Sequence, residues 1–147
     1  MFVTGTGGVV DTASYLNTRV DLHRQLAGRA LLRDADKVFC ALDLGDLDSF
    51  LAYLDPDAEL RFGSQTAVRG HLAIREYIER FTGGIGAMEH RLETLLGAGH
   101  HIVAQGSVTY QLKTGDSKRI PFCDLWTVGL DGKIKSYHIY CDPTGLF

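Results

Sequence analysis

The sequence predicts one α+β domain in which helices cover the concave face of a single curved, antiparallel sheet. Apolar residues recur at helical spacing in the first part of the chain, up to about residue 81. From about residue 88 onward, β-branched and aromatic residues alternate with polar ones, as they do in strands. Helices followed by a run of strands are typical of an α+β domain. A length of 147 residues suits one such domain with a substantial core.

Composition and charge indicate an ordinary globular protein of the cytoplasm. Apolar residues make up 45% of the chain and charged residues 22%, which is usual for a soluble domain. The net charge is −3 and the basic residues are dispersed, so we expect neither a nucleic-acid partner nor a membrane partner. No apolar run reaches membrane-spanning length, and the N-terminus lacks a signal-peptide pattern. The three cysteines lack metal-ligand spacing and are expected to be reduced thiols.

Residues 1–20 are predicted to be a poorly ordered extension, and residues 21–147 to be the folded domain. The first helix is predicted to begin near Asp21 and to end at Gly45, because Gly favours the left-handed position after a helix. Asp46 is then expected to cap a second, short helix. The predicted buried stripe of the first helix consists of Leu31, Ala35, Val38, Phe39 and Leu42.

The rest of the chain divides into one more helix and five strands. The third helix is predicted over residues 71–81, and Gly83-Gly84 ends it. Residues 63–70 are predicted to form a polar loop. The predicted strands cover residues 58–62, 88–96, 101–112, 120–128 and 133–141.

The last two strands are predicted to form a hairpin around Asp131-Gly132, a strong turn signal between apolar segments. A three-residue turn with Gly132 left-handed would place Asp124 opposite His138, whereas a two-residue turn would shift the register by one and separate them. Asp124 is the one charged residue on its strand face. Its neighbours on that face are Ile120, Phe122, Trp126 and Val128.

A carboxylate among apolar neighbours is costly unless it is paired or protonated, so Asp124 is the most informative residue of the sequence. Two interpretations stay open at this point. Asp124 is either an acid with a tuned pKa in a ligand pocket or a structural acid tied to the backbone or to a histidine. His138 is correspondingly either its partner or a hydrogen-bonded core histidine.

Three segments and the closing hairpin together resemble a known superfamily. The segments are Ala41-Leu-Asp-Leu-Gly-Asp-Leu-Asp48, Leu54-Asp-Pro-Asp-Ala-Glu-Leu-Arg-Phe62 and Val68-Arg-Gly-His-Leu-Ala-Ile-Arg-Glu-Tyr-Ile78. They resemble the nuclear transport factor 2-like superfamily, in its SnoaL-like and ketosteroid-isomerase-like branch. The resemblance implies a cone-shaped curved sheet, the nuclear transport factor 2-like or cystatin-like fold, with about three N-terminal helices over its concave face and a deep apolar pocket between them.

The resemblance also carries individual residues. Asp124 falls where ketosteroid isomerases place a carboxylic acid that an apolar site keeps neutral and that donates a hydrogen bond to the developing oxyanion. The general base and the tyrosine of those enzymes fall on Phe62 and Val38, so steroid isomerisation is not expected. His90 resembles the strand histidine of the family's dehydratases, which removes a proton and assists departure of a hydroxyl.

These arguments predict a set of site residues. Asp124, His90 and His138 are the candidate catalytic residues, with Asp124 as acid or oxyanion donor and His90 as acid or base. His100 and His101 are adjacent, so in a strand they point to opposite faces and cannot bind one metal ion together. We expect no metal and no cofactor. The candidate substrate-binding residues are Phe62, Trp126, Tyr140, Phe122, Tyr77 and Tyr53.

The leading functional hypothesis is a small cofactor-free enzyme that acts on an apolar cyclic or polyketide-like molecule. It would transfer protons next to a carbonyl, as a dehydratase, isomerase or cyclase does. The alternative is a non-catalytic protein that holds a small hydrophobic ligand in the same pocket. A third hypothesis is an association module. In that module the convex face of the sheet forms a homodimer, and the superfamily resemblance makes such a dimer compatible with either of the first two hypotheses as well.

Overall fold

The computed structural model describes residues 12–144 and residue 146, and for residues 12–27 it describes the backbone. Three helices pack against one six-stranded sheet, which confirms the predicted fold class. The elements in chain order are α1 (Thr12–Leu44), α2 (Leu47–Ala52), β1 (Leu54–Phe62), β2 (Val68–Arg69), α3 (His71–Gly84), β3 (Ala87–Ala98), β4 (His101–Gln111), β5 (Ser117–Val128) and β6 (Ile134–Cys141).

Helix α1 ends and α2 begins as the sequence predicts. Gly45 has φ +71°, and the backbone N–H of Asp46 donates to the carbonyl of Ala41, which closes the C-terminus of α1. The Asp46 carboxylate then accepts the backbone N–H of Ser49 at 3.1 Å and caps α2. Helix α1 begins at Thr12, earlier than the predicted Asp21. The predicted extension over residues 1–20 lies partly outside the described residues and stays a prediction.

The sheet has the strand order β2-β1-β6-β5-β4-β3. All neighbouring strands are antiparallel, as predicted, except β1 and β6, which are parallel, so the prediction of an antiparallel sheet is wrong for this one pair. Strand β1 begins at Leu54, before the predicted start, and includes Pro56. The pairing of β1 with β6 is interrupted between Leu54 and Glu59, so the missing N–H of Pro56 breaks no ladder bond. Residues 63–70 were predicted to be a loop, but they include the short strand β2.

Alternation along β5 places one face against the helices and the other away from them. The even-numbered residues from Ile120 to Val128 are buried, and Asp124 is among them, as predicted. In β6 the alternation is broken by a bulge, because Val128 pairs with Ile134 whereas Thr127 pairs with Ser136. Lys135 is the extra residue, and beyond it the side chains that face the helices are those of Tyr137, Ile139 and Cys141.

The core lies between α1 and the central strands. Phe39 of α1 stacks on Trp126 with 5.4 Å between ring centroids, and Trp126 is fully buried. The predicted stripe of α1 is confirmed, because Leu31, Ala35 and Val38 are also buried. Within the part of the chain that the structure describes, no helix combines the length and apolar character needed to cross a membrane.

Candidate active site

A narrow cavity of about 60 Å³ lies between the helices and the concave face of the sheet. Its walls are mainly apolar, and they include the aromatic side chains of Phe50, Phe62, Phe81 and Phe122. The polar side chains that reach it are few and come from all four strands β3 to β6. They are His90, Tyr110, Asp124, Tyr137 and Cys141, together with Tyr77 of α3. An apolar enclosure with a few convergent polar groups is the usual form of a small-molecule site.

His90 is held by Asp43, the residue before the last position of α1. Nδ1 of the imidazole lies 2.6 Å from Oδ1 of Asp43, and the backbone N–H of His90 donates to Oδ2 at 2.8 Å. A carboxylate accepts hydrogen bonds, so the neutral imidazole carries its proton on Nδ1 in this pair. Nε2, which Asp43 does not use, is then the basic nitrogen available to a molecule in the cavity.

Two aromatic rings fix the plane of the His90 imidazole. The Phe39 ring lies 5.1 Å from it, and the Phe122 ring meets it edge-on at 5.4 Å, with 80° between the planes. The His90 and Asp43 side chains are 11% and 20% exposed, so water competes little with their hydrogen bond. His90 is therefore oriented by a carboxylate and by packing, as a general base must be.

Asp124 is the second polar centre of the cavity. It is 2% exposed, and its Oδ1 is buried without a hydrogen-bond partner among the described residues. Burial raises the pKa of Asp124 well above its ordinary value, and a hydrogen bond with the Tyr137 hydroxyl acts in the opposite direction with smaller effect. A protonated Asp124 can donate the hydrogen bond that an ionised carboxylate cannot.

The remaining polar groups are also held in their neutral forms. Burial raises the pKa of Tyr137 and of Tyr110, and the nearby Asp124 adds to both shifts. Burial likewise raises the pKa of the Cys141 thiol to about 11. None of the described residues that line the cavity is Lys or Arg. The cavity therefore offers hydrogen-bond donors and one oriented imidazole, without a fixed positive charge.

The predicted pairing of Asp124 with His138 is wrong. The turn itself pairs Val128 with Ile134, which would bring the two residues together, but the bulge at Lys135 shifts the register by one. Asp124 consequently lies opposite Ile139, and His138 faces away from the cavity. There its Nε2 lies 3.2 Å from the carbonyl oxygen of Gly63.

The predicted substrate-binding residues divide into two groups. Phe62, Phe122 and Tyr77 line the cavity, and their predicted role stays a prediction. Three others do not line it. Trp126 is buried against Phe39, Tyr53 packs at the core's edge, and Tyr140 is 50% exposed on the other sheet face. The Tyr140 ring stacks on His138, with 3.9 Å between centroids. The bulge in β6 turns both of these side chains away from the cavity, which is why their predicted positions are wrong.

Sequence reasoning missed Asp43 and Tyr137. Asp43 follows Phe39 by four positions and so continues the buried stripe of α1, which is a signal that the sequence does contain. Strict alternation along β6 places Tyr137 on the outer face, and the bulge turns it toward the helices. Among the described residues, no three His, Cys, Asp or Glu side chains are grouped closely enough to hold a metal ion.

Comparison with known proteins agrees with this fold. An NTF2-like protein of unknown function from Burkholderia pseudomallei is similar with a TM-score of 0.70 and 20% identity, over 75% of this chain and 88% of that one. TerC, co-crystallised with polyporic acid, has a TM-score of 0.66 and 19% identity, over 83% and 91%. An LEH-like epoxide hydrolase from M. tuberculosis has a TM-score of 0.62 and 19% identity, over 86% and 87%.

At these identities, the structural likenesses establish a shared fold. No curated protein sequence matches the chain. The model of the SnoaL-like domain family matches residues 35–137, which is more than half of the chain. The chain therefore belongs to the SnoaL-like domain family.

Proposed function

We propose that this protein is a cytoplasmic, cofactor-free enzyme that transfers protons next to a carbonyl group of an apolar cyclic or polyketide-like molecule. The observation that carries the proposal is the Asp43–His90 pair, which presents an oriented imidazole to the same cavity as the buried Asp124, whose pKa is raised by burial. A base and a neutral acid in one apolar enclosure are the two groups that such a reaction needs.

The proposed reaction begins when Nε2 of His90 accepts a proton from the carbon next to the carbonyl. The electron pair of that C–H bond moves into the carbonyl, and Asp124 donates a hydrogen bond to the oxygen on which negative charge develops. In a dehydration, the enolate expels a hydroxyl from the neighbouring carbon, and the imidazolium returns the proton so that water leaves. In an isomerisation, the proton returns to a different carbon.

Two relatives supply precedents for chemistry on this fold, although each precedent belongs to that protein. TerC was co-crystallised with polyporic acid, and the M. tuberculosis relative is an epoxide hydrolase. For this chain, the aromatic walls and the absence of Lys and Arg from the described lining favour a neutral, cyclic ligand over an anion.

The proposal is tested with cyclic enones, phenols, hydroxynaphthalenes and hydroxy-ketones, first for stabilisation of the protein and then for turnover. A specific ligand at one hundred times its Kd raises the free energy of unfolding by about 2.7 kcal/mol. We expect Asp124→Asn and His90→Gln to abolish turnover while the fold is retained. His138→Gln is the matched control, because this histidine faces away from the cavity, and it should retain turnover. Equal turnover in all four proteins would overturn the proposal.

A non-catalytic ligand-binding protein is the second candidate function. It is favoured by Phe62, an apolar side chain on β1 that lines the cavity and cannot act as a base. In that case the ligands above would stabilise wild type and the two cavity variants would change affinity, but no ligand would be converted. Product analysis by mass spectrometry after prolonged incubation distinguishes the two candidates.

We also propose that the chain forms a homodimer through the sheet face that points away from the helices. Tyr140 supports this because it is a large, half-exposed aromatic side chain on that face, stacked on His138. Light scattering coupled to size-exclusion chromatography should give twice the monomer mass of 16.2 kDa. Tyr140→Glu should shift the mass toward the monomer, and a wild-type protein that is monomeric at all concentrations would refute the dimer.

A further inference from the structure

A second depression adjoins the cavity and differs from it in character. This groove, of about 370 Å³, lies between the C-terminal end of α1, helices α2 and α3, and the beginning of β3. Its lining includes four polar side chains, Asp43, Arg75, Glu79 and Thr82. The cavity is mainly apolar, whereas the groove combines these four polar side chains with apolar ones.

The groove and the cavity share a wall. Leu42, Ile78 and Met88 line both of them, so a ligand in one lies against the other. Met88 is half-buried and belongs to β3, two residues before His90. Its unbranched side chain is the most adaptable of the three and can move without a change in the backbone. Asp43 also lines the groove, so a ligand there lies next to the residue that orients the His90 imidazole.

The cavity by itself is small for the ligand that the proposed reaction requires. An empty apolar cavity that binds benzene measures about 150 Å³, and small-molecule sites usually measure about 300–1,000 Å³. The cavity of about 60 Å³ falls below both values, and the groove of about 370 Å³ brings the combined site into the usual range. A ring that reaches His90 must therefore displace a wall side chain such as that of Met88, and a chain attached to the ring would continue into the groove.

We propose that the groove is the second half of the ligand site and holds the polar, uncharged end of an elongated ligand whose apolar ring occupies the cavity. The inference rests on the proposed function in taking the cavity as the ligand site. It adds the class of substrate: a neutral ring compound that carries a hydroxyl-, ether- or amide-bearing extension.

The charges in the groove exclude an anionic extension. Arg75 is its one cationic side chain among the described lining residues, and its guanidinium pairs with the exposed Asp48. Glu79 follows Arg75 by one helical turn on α3, so a second carboxylate lies on the same face of the helix as this cation. Asp43 adds a third negative charge on the opposite wall. A carboxylate in the groove would meet net repulsion.

A neutral polar group has suitable partners there. The Thr82 hydroxyl donates to the carbonyl oxygen of Ile78 at 2.9 Å, so its lone pairs are available to accept a hydrogen bond. The outer N–H groups of Arg75 can donate to a hydroxyl, ether or amide oxygen without a full counter-charge. Uncharged oxygen groups therefore fit the groove better than a carboxylate does.

The test uses three kinds of probe. The first is a hydroxynaphthalene, the second is the same ring with a short hydroxyl-terminated chain, and the third is the same ring with a carboxylate-terminated chain. For the second and third kinds, the chain is attached at each ring position in turn. Their Kd values are measured by calorimetry for wild type, Ala87→Trp and Ala98→Trp. Ala87 is exposed and lines the groove without lining the cavity, so a Trp there fills the groove. Ala98 is an exposed alanine at the other end of β3 and is the matched control.

We expect the best hydroxyl-tailed isomer to bind wild type more tightly than the bare ring. Ala87→Trp should weaken the tailed probe about tenfold or more through steric conflict and leave the bare ring unchanged. Ala98→Trp should change neither, and the carboxylate-tailed probes should bind more weakly than their hydroxyl counterparts. The inference would be overturned if the Kd of the tailed probes were unchanged by Ala87→Trp, or if wild type bound the carboxylate-tailed probes more tightly than the hydroxyl-tailed ones. The proposed function would stand in both cases. If no probe binds wild type, or if those that bind have the same Kd for Asp124→Asn, both the inference and the proposed function fail.

Discussion

Asp43 and His90 are 47 residues apart in sequence, yet both carboxylate oxygens of Asp43 contact His90. Oδ1 lies 2.6 Å from the ring Nδ1, and Oδ2 accepts the backbone N–H at 2.8 Å. The second bond ties the end of α1 to β3, so the first bond forms at a fixed position rather than between two mobile side chains. This bidentate contact engages Nδ1 of His90 and leaves Nε2 as the nitrogen that the proposed reaction uses as a base.

Asp43→Asn should therefore remove the preference for the Nδ1–H tautomer, because an amide can donate as well as accept at this position. The tautomer is measured without any substrate by long-range ¹H–¹⁵N correlation of the His90 ring. Once a substrate is available, turnover should fall about 10²-fold or more, the usual contribution of an oriented acid–base group. The KM should change less than kcat, because Asp43 acts through His90.

Asp34→Asn is the matched control for this variant, since Asp34 lies on the same helix and pairs with the exposed Lys37. It should leave the His90 spectrum and turnover unchanged. An Asp43→Asn protein whose His90 keeps the Nδ1–H tautomer would show that packing by Phe39 and Phe122 suffices to orient the ring.

Tyr137→Phe should raise the pKa of Asp124 further, because the tyrosine hydroxyl stabilises the ionised carboxylate by a hydrogen bond. The protonated carboxyl has a C=O stretch that is absent from Asp124→Asn, so infrared difference spectra over a pH series follow this group alone. Tyr140→Phe removes a hydroxyl from the opposite sheet face and should leave the midpoint unchanged. A midpoint that moves downward in Tyr137→Phe would contradict the assigned hydrogen bond.

Much of this site can be predicted from short segments of the sequence, whereas the facing of the β6 side chains cannot, because it depends on the bulge. The alternation of β5 predicts that Asp124 is buried, and the Asp131-Gly132 signal predicts a left-handed Gly132, which has φ +79°. The register beyond the turn depends on one extra residue, Lys135, whose bulge has no local sequence signal. Its amine bonds Asp55 at 2.7 Å, a contact between residues 80 positions apart. A contact between such distant residues can be recognised only in the folded structure, so the sequence does not predict the bulge.

Asp43 illustrates the opposite case, because its helical spacing from Phe39 is sufficient to place it on the buried face of α1. A carboxylate at a buried helical position needs a partner, just as Asp124 does in β5. The partner cannot be identified from spacing, since the position of α1 along β3 is a tertiary relationship. The sequence leaves the facing of His90 open for the same reason.

Gly106 of β4 supports the strand that carries His90, and Gly106→Ala should destabilise the protein by at least about 2 kcal/mol. A Cβ at this position would lie 1.9 Å from the carbonyl oxygen of Arg91 on β3, next to the bulge between Leu92 and Thr94. The free energy of unfolding from urea titration measures the effect. Gly83→Ala is the control, because no atom lies within 4 Å of its Cβ position, and it should be neutral or slightly stabilising. Equal stability of the two variants would show that β3 shifts freely at the bulge.

The free energy of unfolding should also depend on pH because of the titration of Asp124. Its pKa in the folded state lies above the ordinary value of 3.8, so between these two pKa values the folded protein holds a proton that the unfolded chain releases. The stabilisation from this proton is fully present below the unfolded pKa and is lost as pH rises toward the folded pKa. The slope over that window is about 1.4 kcal/mol per pH unit for one proton.

Asp124→Asn removes this term while the other carboxylates titrate as before, so the difference in free energy of unfolding between wild type and variant isolates it. We expect wild type to lose stability relative to Asp124→Asn as pH rises above about 4, and the difference to level off above the folded pKa. Urea titrations at closely spaced pH values measure the difference. Asp116→Asn, at an exposed hairpin position, is the control for the loss of one carboxylate. A constant difference between wild type and Asp124→Asn would mean that Asp124 is ionised in the folded protein, and the proposed hydrogen-bond donor would then be lost.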